Sequence, residues 1–480
     1  MFPSFGMDRI VKFFRGHPGG VAPINSLPVE TLSNIFFFTI HRDPSIDQCG
    51  MTLKRCTWVC RYWRQVALND TRLWSLAIDP LDSEIWVKEM LFRSRDTPFR
   101  IEVDFETLQL DPSLPRHDAT TRNVLLAMQF MHRVRHFRIT APSALCLELL
   151  SKLTQPLTLL SSLYVINADE EPDFADDLLL APYLPARLFE LDFPNLDTFS
   201  ITGWNFDWDQ IKFTSLTQLH VIFSAVECAA RPTFQQLSLV LMKLPLLTAV
   251  SLKNILPAAI PSAASHHIPL EYLEIMRLEG DAQECTNLLN ILEHPACTMI
   301  QLICYNIPFP FSAYTPIVGI IRDKFSGHQL HTLDLHFRPC SFGLWGSSDT
   351  SDEANLNLEA IELAFQWYPS IPSGTKTLDS PDFLPLALVL PSAGVDVLRI
   401  SGHPQLTVST SMWSLLLSHF REVEVLELVA VPLQGLLPLL LTGTREFLPR
   451  LAKIIGSSDD EGIMDRFIEA RSDNVEAKDA

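Results

Sequence analysis

The chain has 480 residues, 47% apolar and 19% charged, a balance that supports a large folded core and excludes a disordered chain. Its formal net charge of −19 argues against nucleic acid as a partner, because a phosphate backbone needs clustered cations. There is no apolar run of about eighteen residues, so no membrane span is expected, and the nine cysteines lack a Cys-x-x-Cys pair, which points to a reducing compartment, cytoplasmic or nuclear, and away from a zinc site.

Residues 1–23 place Arg9, Lys12 and Arg15 among Phe and Ile, too broken a pattern for a secretory signal, and read as a flexible leader. From Ile24 the pattern becomes helical. Pro28 suits a first helical position and Glu30 the first turn, where the helix dipole favours an anion. Val29, Leu32, Ile35 and Phe36 form an apolar stripe, and the helix must end before Pro44. After a polar link from Thr39 to Met51, a second helix is expected from Thr52 to Ala67, with Leu53, Cys56, Val59, Cys60, Trp63, Val66 and Ala67 on one face. Cys56 and Cys60 read as small core residues. Asp70 can cap a last short turn presenting Leu73 and Trp74. Three such helices make a thin core that needs a neighbour. Residues Ile24 to Ile78 carry six Lys/Arg and four Asp/Glu, a balance of +2 in an acidic chain, and Lys54, Arg55, Arg61, Arg64 and Arg72 suit an acidic protein partner.

The pieces Leu27-Pro28-x-Glu30-x-Leu32-x-x-Ile35-Phe36, Val59-Cys60-Arg61-x-Trp63-Arg64-x-Val66-Ala67 and Leu73-Trp74 occur in an order that resembles an F-box, the motif that docks substrate receptors onto cullin–RING ubiquitin ligases. The resemblance implies a three-helix domain over residues 24–75 that binds the small acidic adaptor of an SCF-type ligase and, through it, a cullin. It draws the docking residues from Leu27, Pro28, Leu32, Ile35, Val59, Cys60, Trp63, Leu73 and Trp74. Sequence does not divide those that touch the partner from those that hold the helices together.

Beyond Leu76 a unit of apolar-x-x-apolar-x-apolar recurs every few dozen residues: Val134-Phe137-Ile139, Leu160-Leu163-Val165, Leu196-Phe199-Ile201, Leu216-Leu219-Val221, Leu247-Val250-Leu252, Leu270-Leu273-Ile275, Met299-Leu302-Cys304 and Leu330-Leu333-Leu335. Weaker copies are Leu358-Ile361-Leu363, Val395-Leu398-Ile400 and Val423-Leu426-Leu428. The last two apolar positions of each unit share one strand face, and a fixed-face strand at this spacing marks a stacked solenoid. Ala119–His132, Phe234–Leu244, Cys285–Leu292, Tyr314–Phe325 and Ser411–Phe420 are helical in pattern, which implies parallel strands joined by crossovers. The repeats resemble irregular leucine-rich repeats, and the combination is similar to F-box proteins with degenerate repeats in mushroom-forming, basidiomycete fungi. The family's asparagine is matched only near Asn167, Asn254 and Asn306, so no regular asparagine ladder is expected. The fold class is therefore α plus α/β: an N-terminal three-helix F-box, then an irregular leucine-rich-repeat-like α/β solenoid with a parallel sheet over 76–456, then a last helix at Ile463–Ala470 and a polar tail within 457–480.

Three loops stand out. Asp169 to Asp177 is acidic but lacks the glycine and spacing of a calcium loop. Trp204 to Asp209 alternates aromatic and polar residues, as a half-buried strand does. Ser341 to Asn355 is rich in Gly, Ser and Asp and reads as a mobile insertion, with Trp345 as a candidate contact for a target. No Gly-x-Ser-x-Gly, phosphate-cradling glycine loop or His-Glu-x-x-His occurs, and the adjacent His266-His267 diverge too far to chelate. No catalytic residue, cofactor or metal is expected. The chain reads as a non-catalytic adaptor that holds a neutral or basic protein target beside the ligase-bound conjugating enzyme. The alternatives are an interaction scaffold that never joins a ligase and a hydrolase, which would need a Ser or Cys within hydrogen-bond reach of a His.

Overall fold

In the computed structural model of the protein, the N-terminal motif forms helices α1 (Val29–His41), α2 (Ile46–Val59), α3 (Arg61–Asn69) and α4 (Thr71–Leu76). The structure describes residues 27–41, 46–108, 116–169, 181–224, 229–257, 267–295, 298–305, 319–323, 330–338, 341–347, 361–366, 376–378, 394–402, 406–429, 431, 435–436, 438–439 and 447–456. The leader, Asn306, most of the acidic turn and the tail helix lie outside these residues.

α1 buries Leu32, Ser33, Phe36 and Ile40, one stripe at helical spacing. Pro28 sits just ahead of the first helical residue, and its carbonyl accepts the Leu32 N–H at 3.0 Å. The single helix expected from Thr52 to Ala67 is two helices. Cys60 is extended (φ −157°, ψ 172°), and its sulfur accepts the Trp63 N–H at 3.4 Å as the cap of α3. Cysteine is a rare cap, and the apolar period runs across the joint without a phase slip, so neither signal marks the break. α2 also begins earlier than expected, inside the stretch that reads as a link. Trp63 packs on Phe36 with ring centroids 4.9 Å apart, and the Trp74 indole N–H donates to the Ala67 carbonyl at 2.8 Å.

The chain divides into two compact units, one of residues 1–171 with 184–199, the other of 172–183 with 200–480. In the first, α5 (Glu84–Ser94) precedes β1 (Phe99–Asp104), α6 (Arg116–Met128), β2 (Val134–Ala141), α7 (Ser143–Ser151) and β3 (Ser162–Asn167). The strands pair in parallel and stack two buried rows, Ile101-Phe137-Leu163 and Val103-Ile139-Val165. β1 is a repeat that the spacing did not reveal, because Pro98 occupies its first apolar position. The point of division falls within β4 (Thr198–Thr202).

The second unit contains β5 (Gln218–Ile222), α8 (Phe234–Met242), β6 (Ala249–Lys253), β7 (Ile275–Asp281), α9 (Ala282–Ile291), β8 (Met299–Tyr305), β9 (Thr332–Arg338), β10 (Ser341–Ser347), β11 (Ile361–Gln366), β12 (Val397–Ser401), α10 (Thr410–His419), β13 (Val425–Val429) and β14 (Lys453–Gly456). Their sheet order is β5-β6-β7-β8-β11-β10-β9-β12-β13-β14. Register aligns Leu219-Val250-Met276-Ile300-Ile361 and, two residues on, Val221-Leu252-Leu278-Leu302-Leu363. A second set aligns Leu333-Leu398-Leu426-Ile454, so β14 is a further copy that the spacing missed. Stacking of these strands covers what a single repeat cannot.

Four expectations need correction here. The unit Leu270-Leu273-Ile275 is set one step early: Met276 and Leu278 face the core and Ile275 is exposed. In β8 Leu302 and Cys304 share the buried face as expected, but Ile300 joins them, and it is Ile300 and Leu302 that align with Met276 and Leu278. Trp204–Asp209 is not a strand but a loop entering a short 3-10 turn, with Trp204, Phe206 and Trp208 all buried, so its alternation reflects packing of aromatics, not a sheet. The stretch from Ser341 to Ser347 is a strand, antiparallel to both β9 and β11, so the sheet is not wholly parallel. Its glycines mimic a loop, yet a Cβ at Gly346 would sit 2.9 Å from the Leu330 side chain, so the residue answers a packing demand. Residues 348–355 lie outside the described residues.

One rung of an asparagine ladder does form. Asn254, at φ +57°, donates from Nδ2 to the carbonyls of Phe223 at 3.0 Å and Ser224 at 2.8 Å, closing the turn of the preceding repeat.

Candidate protein-docking surface

The nine residues singled out in the helical motif separate into two groups. Leu32, Trp63, Leu73 and Trp74 are buried and hold the helices together. Leu27 and Cys60 are half-buried, while Pro28, Ile35 and Val59 are exposed. Pro28 precedes α1 and Ile35 lies within it, while Val59 ends α2 at its joint with α3. There the Tyr62 hydroxyl donates to the Leu27 carbonyl at 2.7 Å, tying the Leu-Pro start of the motif to the joint. The Arg64 Nε donates to the Thr57 carbonyl at 2.8 Å and closes the end of α2. Immediately before the joint, Trp58 is 65% exposed and Val59 45% exposed. Sequence reading missed Trp58, and it missed exposed Phe38 on α1. Both are large aromatics out of phase with the buried stripe of their own helix, and that is the signal that could have found them.

Charge around the joint is positive. Lys54 is engaged by Asp82 at 3.2 Å and Arg72 by Asp70 at 2.8 Å. Arg55 and Arg61 are exposed and make no ion pair with any described residue.

Asp70 fixes the end of the motif. Its carboxylate caps α4 by accepting the Arg72 N–H at 2.9 Å, and it accepts a hydrogen bond from the Ser33 hydroxyl of α1. Burial raises this carboxyl, but the hydrogen bonds from Arg72 and Ser33 outweigh it and hold the pKa below the usual carboxylate range. Asp70→Ala should therefore cost about 1–2 kcal/mol at neutral pH. A depressed pKa confers stability above the unfolded value of about 3.9, and that stability fades as pH falls through the folded value. Thermal unfolding of wild type and variant at pH 7 and pH 3 should show a gap that narrows in acid; a constant gap would show that the carboxylate charge contributes nothing.

Trp345 lies in β10, and register across the second unit's sheet aligns Arg277, Gln301, Glu362, Trp345, Asp334, Arg399 and Glu427. Arg399 Nε donates to Glu427 at 2.6 Å, and burial raises the Asp334 carboxyl against the opposing pull of Arg399.

A Ser–His contact is present: His136 Nδ1 lies 3.0 Å from Ser162 Oγ in the first unit. The Ser162 hydroxyl also donates to the Asp197 carboxylate, at 3.5 Å. Among the described residues no group of His, Cys, Asp and Glu is arranged to hold a metal ion. No helix of the described residues is long and apolar enough to cross a membrane.

A family model described as F-box-like matches residues 24–76, the helical motif itself. No curated protein matches the chain. Among solved structures, the leucine-rich repeat-containing protein LegL7 from Legionella pneumophila is similar at 11% identity over 65% of this chain and 86% of that chain, with a TM-score of 0.24.

Proposed function

We propose that this protein is the substrate-recognition subunit of an SCF-type cullin–RING ubiquitin ligase, a non-catalytic adaptor between the ligase and a target protein. The F-box-like match at residues 24–76 supports a protein-binding role for the helical motif. The observation that carries the reading is the exposure of Trp58 and Val59 at the α2–α3 joint, with exposed Arg55 and Arg61 before and after them in the chain and the Leu27 carbonyl tied to the joint by Tyr62. An apolar edge ringed by cations fits the small acidic adaptor, and through it a cullin. A target would sit on the second unit at the register row that holds Trp345, and the ligase-bound conjugating enzyme would supply the chemistry. The likeness to fungal F-box proteins with degenerate repeats rests on the sequence pattern alone. The second reading, an interaction scaffold outside any ligase, uses the same two surfaces with a different helical partner. Mass spectrometry of proteins captured by the tagged chain after proteasome inhibition separates the two. Recovery of a cullin and the acidic adaptor is expected; their absence, with other partners present, would favour the scaffold.

A further inference from the structure

In the first unit, α5 and the turn between α6 and β2 enclose an open cavity of about 370 Å³. Its walls are apolar where Leu91, Leu126 and Phe130 meet, and carry Lys88 and Arg95 from α5 and its cap, Arg133 from the α6–β2 turn, and one carboxylate, Asp96. Spacing gives no hint that Arg133 joins the other two cations, because it lies 38 residues beyond Arg95.

Arg133 is the unusual group. It is only 4% exposed, yet every partner it has is neutral. Nε and Nη2 donate to the Thr97 carbonyl at 3.3 and 2.9 Å, Nη2 also donates to the Ser94 hydroxyl at 2.6 Å, and the guanidinium lies 5.2 Å from the Phe99 ring and 5.7 Å from that of Phe130. Asp96 acts on it only through space, and burial pulls its pKa down against that influence. Asp96 lines the same cavity without a hydrogen bond or ion pair to Arg133, and a buried cation with no carboxylate in contact is costly unless further counter-charge reaches it. Arg95, beside it, is held at φ +47°, a backbone region that L residues rarely adopt, and its exposed side chain has no partner among the described residues. Strain of this kind persists where the surroundings fix a residue for a task. Lys88 adds less, because Glu84 already holds it at 2.5 Å.

One more feature says what carries the anion. Ile85 and Phe92 stand two turns apart on one side of α5, 80% and 79% exposed, and Phe92 also lines the cavity. A free ion has no use for such a track, whereas a peptide can lay apolar side chains along it. We propose that this cavity binds an acidic peptide segment, with a carboxylate or phosphate group seated between Arg133 and Arg95 and a neighbouring apolar residue against Leu91 and Phe130. The site is separate from the docking surface at the α2–α3 joint and does not rest on the ligase reading. It also revises the expectation of a neutral or basic target, which assumed that no arginines cluster.

The full-length chain, titrated by ligand-observed NMR with three blocked dipeptides, tests this. Glutamyl-leucine and phosphoseryl-leucine should bind saturably and seryl-leucine should not, and the tighter of the two identifies the oxyanion. Arg95→Glu, on the surface, should weaken the anionic dipeptide at least tenfold without moving the melting temperature, and Arg133→Lys, which keeps the charge and loses the fork, should also weaken it. Absence of saturable binding at about 10 mM, equal binding of seryl-leucine, or binding unchanged in Arg95→Glu would each overturn the proposal.

Discussion

Alanine at Trp58, Val59 and Pro28 together is expected to lower recovery of the acidic adaptor and cullin more than about a hundredfold, with thermal stability unchanged. The three side chains are exposed, so truncating them removes little internal packing, and surface changes of this kind shift stability by about 0.5 kcal/mol or less. At an interface the balance reverses. An exposed tryptophan that becomes desolvated on binding is the usual anchor of such a contact and contributes about 2 kcal/mol or more, with Val59 and Pro28 adding around it. About 3 kcal/mol in total corresponds to slightly more than a hundredfold in affinity. Quantitative pull-down, paired with a melting curve, reads both quantities. Full recovery of the adaptor by the triple variant would place the contact elsewhere on the motif.

Trp63→Ala should fail for the opposite reason. Trp63 is buried against Phe36 at the centre of the helices, and emptying such a site costs about 3–5 kcal/mol. In a motif this small that loss is comparable to the whole local stability. Hydrogen exchange across residues 46–76 should therefore rise by several hundredfold, and adaptor binding should vanish with it. Trp63→Phe is the informative control. The Trp63 indole N–H has no hydrogen-bond partner among the described residues, so phenylalanine keeps most of the packing and loses no bond. Protection in Trp63→Phe should stay within about tenfold of wild type. Equal damage from both substitutions would mean that the ring makes a polar contact on which the motif depends.

Sequence periodicity revealed the apolar side of this fold well and its joints poorly. Phe137 and Ile139, or Leu219 and Val221, fix a strand face because both side chains must point inward, and register confirms them as members of continuous rows. The same rule mis-set Leu270-Leu273-Ile275 because Leu273-Met276-Leu278 satisfies the template equally well, and only the neighbouring strands choose between them. Glycine misled in β10, where Gly346 makes room for Leu330 and does not loosen a loop. In the helical motif, Leu32 and Trp63 look the same as Ile35 and Val59 on a helical wheel, since all four are apolar and recur at helical spacing. The break at Cys60 is what turns Val59 outward, and a capping cysteine leaves no trace that spacing could detect. The cationic cavity was invisible for a different reason: Lys88, Arg95 and Arg133 meet only after α5 folds against the α6–β2 turn.

Calorimetric titration of the purified full-length chain with the purified acidic adaptor tests the central claim most directly. Saturable one-to-one binding to wild type, with no measurable heat for the Pro28, Trp58 and Val59 alanine variant, is the expected result. Absence of binding to the wild-type chain, or equal affinity for both, would contradict it.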